Sequence, residues 1–132
     1  MRSRIHVLHH SDHDCGDDVH HVRDDRALLH HDDWGSAKNS FLSPEMHDEF
    51  LTPYYKRIYG RWKELGCELI VHHSDSWSRN LVPSMIEMGI DIWQGVMRSN
   101  DIGALIKQYG GQITFMGGID SAPVDYEGWT DE

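Results

Sequence analysis

At 132 residues with 39% hydrophobic content, the chain is of ordinary single-domain size and can build one core. Its 22 acidic against 12 basic side chains give a formal charge of −10, a sign that repels nucleic acid and anionic lipid. No apolar run approaches the roughly 20 residues of a membrane helix, and the opening MRSRIHVLHH lacks the apolar segment of a secretory signal.

Residues 1–26 carry six histidines and six aspartates with no sustained period of two or 3.6. This stretch reads as a disordered, solvated leader, with a metal-binding His tract as the other reading. Residues 27–132 are regular and read as one domain. Ala27–His31 is a short strand candidate ending at Asp32-Asp33-Trp34-Gly35-Ser36. Ser43 reads as an N-cap, with Pro44 at the first helical position. Apolar residues from Met46 to Leu65 then recur at helical spacing, and Pro53 predicts a break into two pieces. Gly66 closes the helix. Cys67–His73 is short and apolar enough for a buried parallel strand. A helix over Leu81–Met88 stops at Gly89, a third strand covers Ile90–Met97, and Asp101 caps a helix through Tyr109. Gln112–Met116 is a fourth strand, followed by Gly117-Gly118-Ile119-Asp120. Cys15 and Cys67 have no CxxC spacing and read as reduced thiols in a cytoplasmic protein.

Four strands alternating with helices imply right-handed crossovers and a parallel sheet. Periodicity alone does not choose between an open doubly wound sheet and an arc of a closed barrel. In both, chemistry sits at the strand C-termini, where Asp32, Asp33, His73, Asp75 and Asp120 fall. Adjacent strand residues point to opposite sides, so at most one of Asp32 and Asp33 faces the mouth. By the same alternation, His73 is the candidate site residue and His72 a packed histidine. Gln94 is a further pocket candidate. Trp77 and Arg79 fit either a lid or plain loop packing, and Tyr54, Tyr55, Tyr59 and Trp62 read as helix packing.

The stretches HDDWGSAKNSFLSPEM, FLTPYYKRIYGRWKELG, LIVHHSDSWSRNLVPSMIEMGIDIW and YGGQITFMGGID, in this order and spacing, resemble the uroporphyrinogen decarboxylase superfamily. That superfamily includes the corrinoid-dependent methyltransferases. The resemblance spans roughly residues 28–129 and implies part of a (β/α)₈ barrel, from about its fifth to its eighth strand. A whole barrel typically needs about 250 residues. It also implies that the decarboxylases' carboxylate-gripping arginines and key aspartate precede this piece, and that a site histidine follows it.

Within the matched region, decarboxylases carry an acidic-Ser-aromatic-Ala-Gly turn that touches the tetrapyrrole. Here Asp32-Asp33-Trp34-Gly35-Ser36 takes that place, so the resemblance marks Asp32 and Trp34 as substrate-binding. Asp33, in place of the serine, sets an extra carboxylate against a polyanionic substrate. Some methyltransferases hold zinc through a His-x-Cys pair plus a later cysteine, and His73-Ser74-Asp75 occupies that position. The resemblance therefore makes His73 and Asp75 the candidate metal ligands, and Asp33, His73 and Asp75 the candidate catalytic groups. Asp120 and Gln94 join the substrate side. The expected reaction is methyl transfer from a small methylated or methoxylated substrate to a corrinoid carried by a partner protein. Uroporphyrinogen decarboxylation, which uses no metal or cofactor, is the alternative. A third reading is an inactive remnant that needs a complementary fragment or self-associates through open barrel edges.

Overall fold

The computed structural model describes residues 26–119, so the expectations for the leader and for Asp120 lie outside the described residues. The elements run β1 (Ala27–His31), α1 (Pro44–Phe50), α2 (Thr52–Glu64), β2 (Leu69–His73), α3 (Val82–Met88), β3 (Ile92–Val96), α4 (Ile102–Tyr109) and β4 (Thr114–Gly117).

Local chemistry sets the boundaries. The Ser43 hydroxyl accepts the Met46 N–H at 3.3 Å, with Pro44 just inside α1. Pro53 cannot continue the hydrogen-bond ladder, and the helical stretch divides at Leu51 into α1 and α2. Gly89 ends α3 at φ 84°. The third helix begins later than its apolar spacing predicts, because Arg79–Leu81 form a separate 3₁₀ turn. The third strand is shorter than predicted. Ile90 belongs to the turn before it, where its N–H bonds the Met85 carbonyl at 3.1 Å.

All three strand pairings are parallel and the sheet order is β1-β2-β3-β4. An open doubly wound sheet reverses its strand order at a switch point. Sequential order throughout is instead that of a barrel arc, so the fold is a partial (β/α) barrel, with four strands among the described residues.

The register sorts the side chains into two faces. Leu28 pairs with Ile70, and the row His30, His72, Trp93, Phe115 runs across the sheet on that same face. Helices cover this face. Trp93, Ile70, Leu81, Met85 and Tyr59 are buried in one core cluster, and each large apolar side chain contributes about 1.5–3 kcal/mol. On the other face Leu29, Val71, Ile92 and Thr114 form one row and His31, His73, Gln94 and Met116 the next. That second face corresponds to a barrel interior, and its last row lies at the strand C-termini.

Candidate functional site at the barrel mouth

The chain ends β1 and β2 with a histidine in register, His31 beside His73. Their rings meet edge to face with centroids 4.4 Å apart. Two residues beyond His31, Asp33 turns back over the same face, and its Oδ2 lies 3.5 Å from His31 Nε2. The other carboxylate oxygen of Asp33 accepts the backbone N–H of Asp75 at 3.2 Å. One donor atom each from His31, Asp33 and His73 falls within 4.8 Å of the others.

His73 is held from the next strand. Its Nδ1 hydrogen-bonds Gln94 Oε1. Because an amide oxygen only accepts, Nδ1 carries the proton and Nε2 keeps its lone pair. The ring lies over Gly95, which sits at φ 87° in a β3–β4 register shift. A Cβ at Gly95 would stand 2.9 Å from His73 Cε1, so only glycine leaves room for this imidazole.

Asp32 points the other way. It hydrogen-bonds the Tyr55 hydroxyl of α2, whose pKa is raised to about 12 by burial first and then by this carboxylate. Trp34 is buried beneath the mouth, stacked on His72 at 4.1 Å and edge-on to His47. Asp32, Asp33, Trp34, His47 and three apolar neighbours line a small cleft of about 170 Å³. His47 beside it is fully buried with no partner on Nε2, and burial holds its pKa below the usual imidazole value.

The rim is stitched across consecutive loops. The Trp77 N–H bonds the Ser36 carbonyl at 2.8 Å. Buried Asn100, beyond β3, accepts the N–H groups of Ser78 and Arg79 through Oδ1 and donates from Nδ2 to the Ser76 carbonyl. Within this loop the hydroxyls of Ser74, Ser76 and Ser78 form a buried chain at 2.7 Å spacing. Arg79 turns towards Asp101 at 3.7 Å.

Of the residues marked by sequence, Asp33 and His73 come together on the open face and Gln94 buttresses His73. Asp75 contributes its backbone N–H there, and its side chain stands outside the three-residue cluster. Asp32 and Trp34 face the helix layer and the small cleft. Among the helix aromatics, Tyr55, Tyr59 and Trp62 pack as expected, whereas Tyr54 is 61% exposed. His31, unmarked by any motif, joins Asp33 and His73. The signal was its position two residues before Asp33 at a strand end, a spacing that returns both side chains to one face.

A parallel strand-helix arc with polar side chains gathered at its strand C-termini is the architecture of part of a (β/α) barrel. The uroporphyrinogen decarboxylase family model matches residues 26–131, and the chain belongs to that family. No curated protein and no solved structure matches it at a significant level.

Proposed function

We propose that this chain forms one side of the mouth of a methyl-transferring member of the uroporphyrinogen decarboxylase superfamily. Its substrate would be a small methylated or methoxylated compound, and the methyl acceptor a corrinoid carried by a partner protein. The observation that supports this over decarboxylation is the placement of Asp33. Its carboxylate is anchored on the open face by the Asp75 N–H, where a substrate bearing several carboxylates would meet like charge.

In methyl transfer, the carbon–heteroatom bond breaks as the corrinoid takes the methyl, and the departing heteroatom requires a proton or a cation. His31 stands where it can pass a proton to that atom, while His73, its Nδ1–H committed to Gln94, turns the Nε2 lone pair to the same place. Asp33, with its Oδ2 3.5 Å from His31 Nε2, orients that ring. A metal ion such as zinc, when bound at the mouth, would supply Lewis acidity to the same atom. A reduced, cytoplasmic setting fits the free, buried Cys67, and no helix among the described residues is long and apolar enough to cross a membrane.

A barrel of eight strands encloses its interior, and the described residues supply four. The test therefore uses the full chain, alone and co-expressed with the segments encoded on either side of its reading frame. Each preparation is given reduced cobalamin with methoxylated and methylated small molecules, and separately uroporphyrinogen. Formation of methylcobalamin supports the reading. Loss of carboxyl groups from uroporphyrinogen without methyl transfer replaces it with decarboxylation. Neither activity in any combination favours a non-catalytic remnant.

A further inference from the structure

We infer that His31, Asp33 and His73 form a three-ligand site for a divalent first-row transition ion of the zinc class, with its remaining positions open towards the barrel interior. The inference rests on the mouth assignment above and deepens it. The ligand set differs from the His73–Asp75 pair to which the family resemblance points: two of its three members come from the end of the preceding strand.

Three observations carry it independently of one another. The first is proximity. One donor atom from each residue lies within 4.8 Å of the others, and the His31–Asp33 contact is already 3.5 Å. Tetrahedral ligands bound at about 2.0–2.2 Å stand about 3.3–3.6 Å apart, so side-chain rotations that move donor atoms by about 1 Å, on two exposed residues and one half-buried one, close the set.

The second is support behind the ligands. A metal-bound histidine usually donates its other ring N–H to an oxygen, which fixes tautomer and orientation. His73 does this through Nδ1 to Gln94, leaving Nε2 as the ligand atom. Asp33 spends one oxygen on the Asp75 N–H and turns the other towards His31. His73 and Asp33 are thus each committed on the far side, and His31 completes the set from the end of the neighbouring strand.

The third is the space made for it. Gly95 at φ 87° admits the His73 ring where any Cβ would collide. Two imidazoles and one carboxylate are a borderline donor set that favours zinc, iron or cobalt over magnesium or calcium, which prefer oxygen ligands. Three protein ligands leave room for water or a substrate atom, as at catalytic rather than structural sites.

The leader supplies six further histidines, so the test uses the full-length chain with His6, His9, His10, His13, His20 and His21 replaced by Gln. Zinc binding is followed by calorimetry and metal analysis, and cobalt(II) is used as a spectroscopic probe. The expected result is one zinc or cobalt per chain, unaffected by excess magnesium, with a visible cobalt spectrum showing nitrogen ligation. His31→Ala and Asp33→Asn abolish stoichiometric binding, Gln94→Ala weakens it about 10- to 100-fold, and Asp75→Ala leaves it intact. Circular dichroism of each variant verifies the fold. His31 is exposed, so its truncation removes a ligand and spares the core.

The site is overturned by absence of zinc binding in the folded, leader-substituted chain. Binding that survives His31→Ala but disappears in Asp75→Ala also overturns it, because that returns the metal to the His73–Asp75 pair. The functional reading stands or falls separately. Zinc bound at these three residues without methyl transfer removes the activity and keeps the site, and methyl transfer by a protein that binds no metal does the reverse.

Discussion

Tyr59 Oη lies 3.0 Å from His72 Nδ1, and this contact sets the protons of the aromatic layer beneath the mouth. His72 Nε2 meets the Asp32 carbonyl at 3.0 Å. A carbonyl only accepts, so Nε2 carries the hydrogen and Nδ1 is the acceptor. The Tyr59 hydroxyl therefore donates to His72, and its oxygen accepts from His30 Nδ1 at 2.9 Å. One tyrosine from α2 thus fixes the tautomers of two histidines on adjacent strands. Removing it in Tyr59→Phe leaves a buried acceptor and a half-buried donor unpaired, an expected cost of about 1–3 kcal/mol in urea unfolding. Equal stability of the variant would show that water or a rearranged partner takes over both bonds.

The same layer makes stability depend on pH. His72 is pushed down to about 3, chiefly by burial and next by His30, and burial also lowers His30 and His47. An unfolded histidine titrates near about 6.5. Between there and about pH 3 the unfolded chain binds a proton that folded His72 refuses. The stabilisation is therefore fully present above about pH 6.5 and lost as the pH falls through this window. Each such histidine contributes a slope of up to about 1.4 kcal/mol per pH unit. Urea midpoints measured across the window should drop towards acid, and His72→Phe should flatten the slope by about one proton.

Gly95→Ala tests the bulge under His73. Alanine at φ 87° is strained, and its methyl would enter the imidazole. A loss of about 1–3 kcal/mol is expected, together with displaced His73 ring resonances by NMR. A variant with unchanged His73 resonances would show that the ring does not depend on this glycine.

Asn100→Ala strips two backbone N–H groups and the Ser76 and Met97 carbonyls of a partner at a fully buried point. The expected cost is about 3 kcal/mol, with faster amide exchange at Ser78 and Arg79. Asn100→Asp keeps the acceptor and loses the donor, so it should fall between alanine and the native chain.

The interior face of the arc carries Leu69 and Met116, 44% and 49% exposed, with β1 and β4 each unpaired on one side among the described residues. Open parallel edges invite pairing. Sedimentation of the full chain should show concentration-dependent association, reduced by Leu69→Lys and Met116→Glu. A sharp monomer at every concentration would count against it.

The strand-helix alternation, the Ser43-Pro44 start of α1 and the division around Pro53 were legible because each depends on residues a few positions apart. The barrel arc needed the observed strand order, since periodicity is the same in an open sheet. At the mouth, the nature of the groups showed in sequence but their partnerships did not. His31 and His73 become neighbours only through the parallel register, 42 positions along the chain. The Tyr55–Asp32 bond and the hold of Asn100 on Ser76 and Ser78 likewise join separate strand-helix units. No local pattern encodes such distances, because loop paths and packing decide them.

The buried hydroxyls of Ser74, Ser76 and Ser78 have one more property. In both links either oxygen is free to be the donor. The row can therefore point its dipoles one way or the other by turning hydrogens alone, with no heavy atom displaced. A loop pinned by Asn100 thus keeps a seam of hydroxyls whose hydrogen-bond direction can turn while the rim keeps its shape.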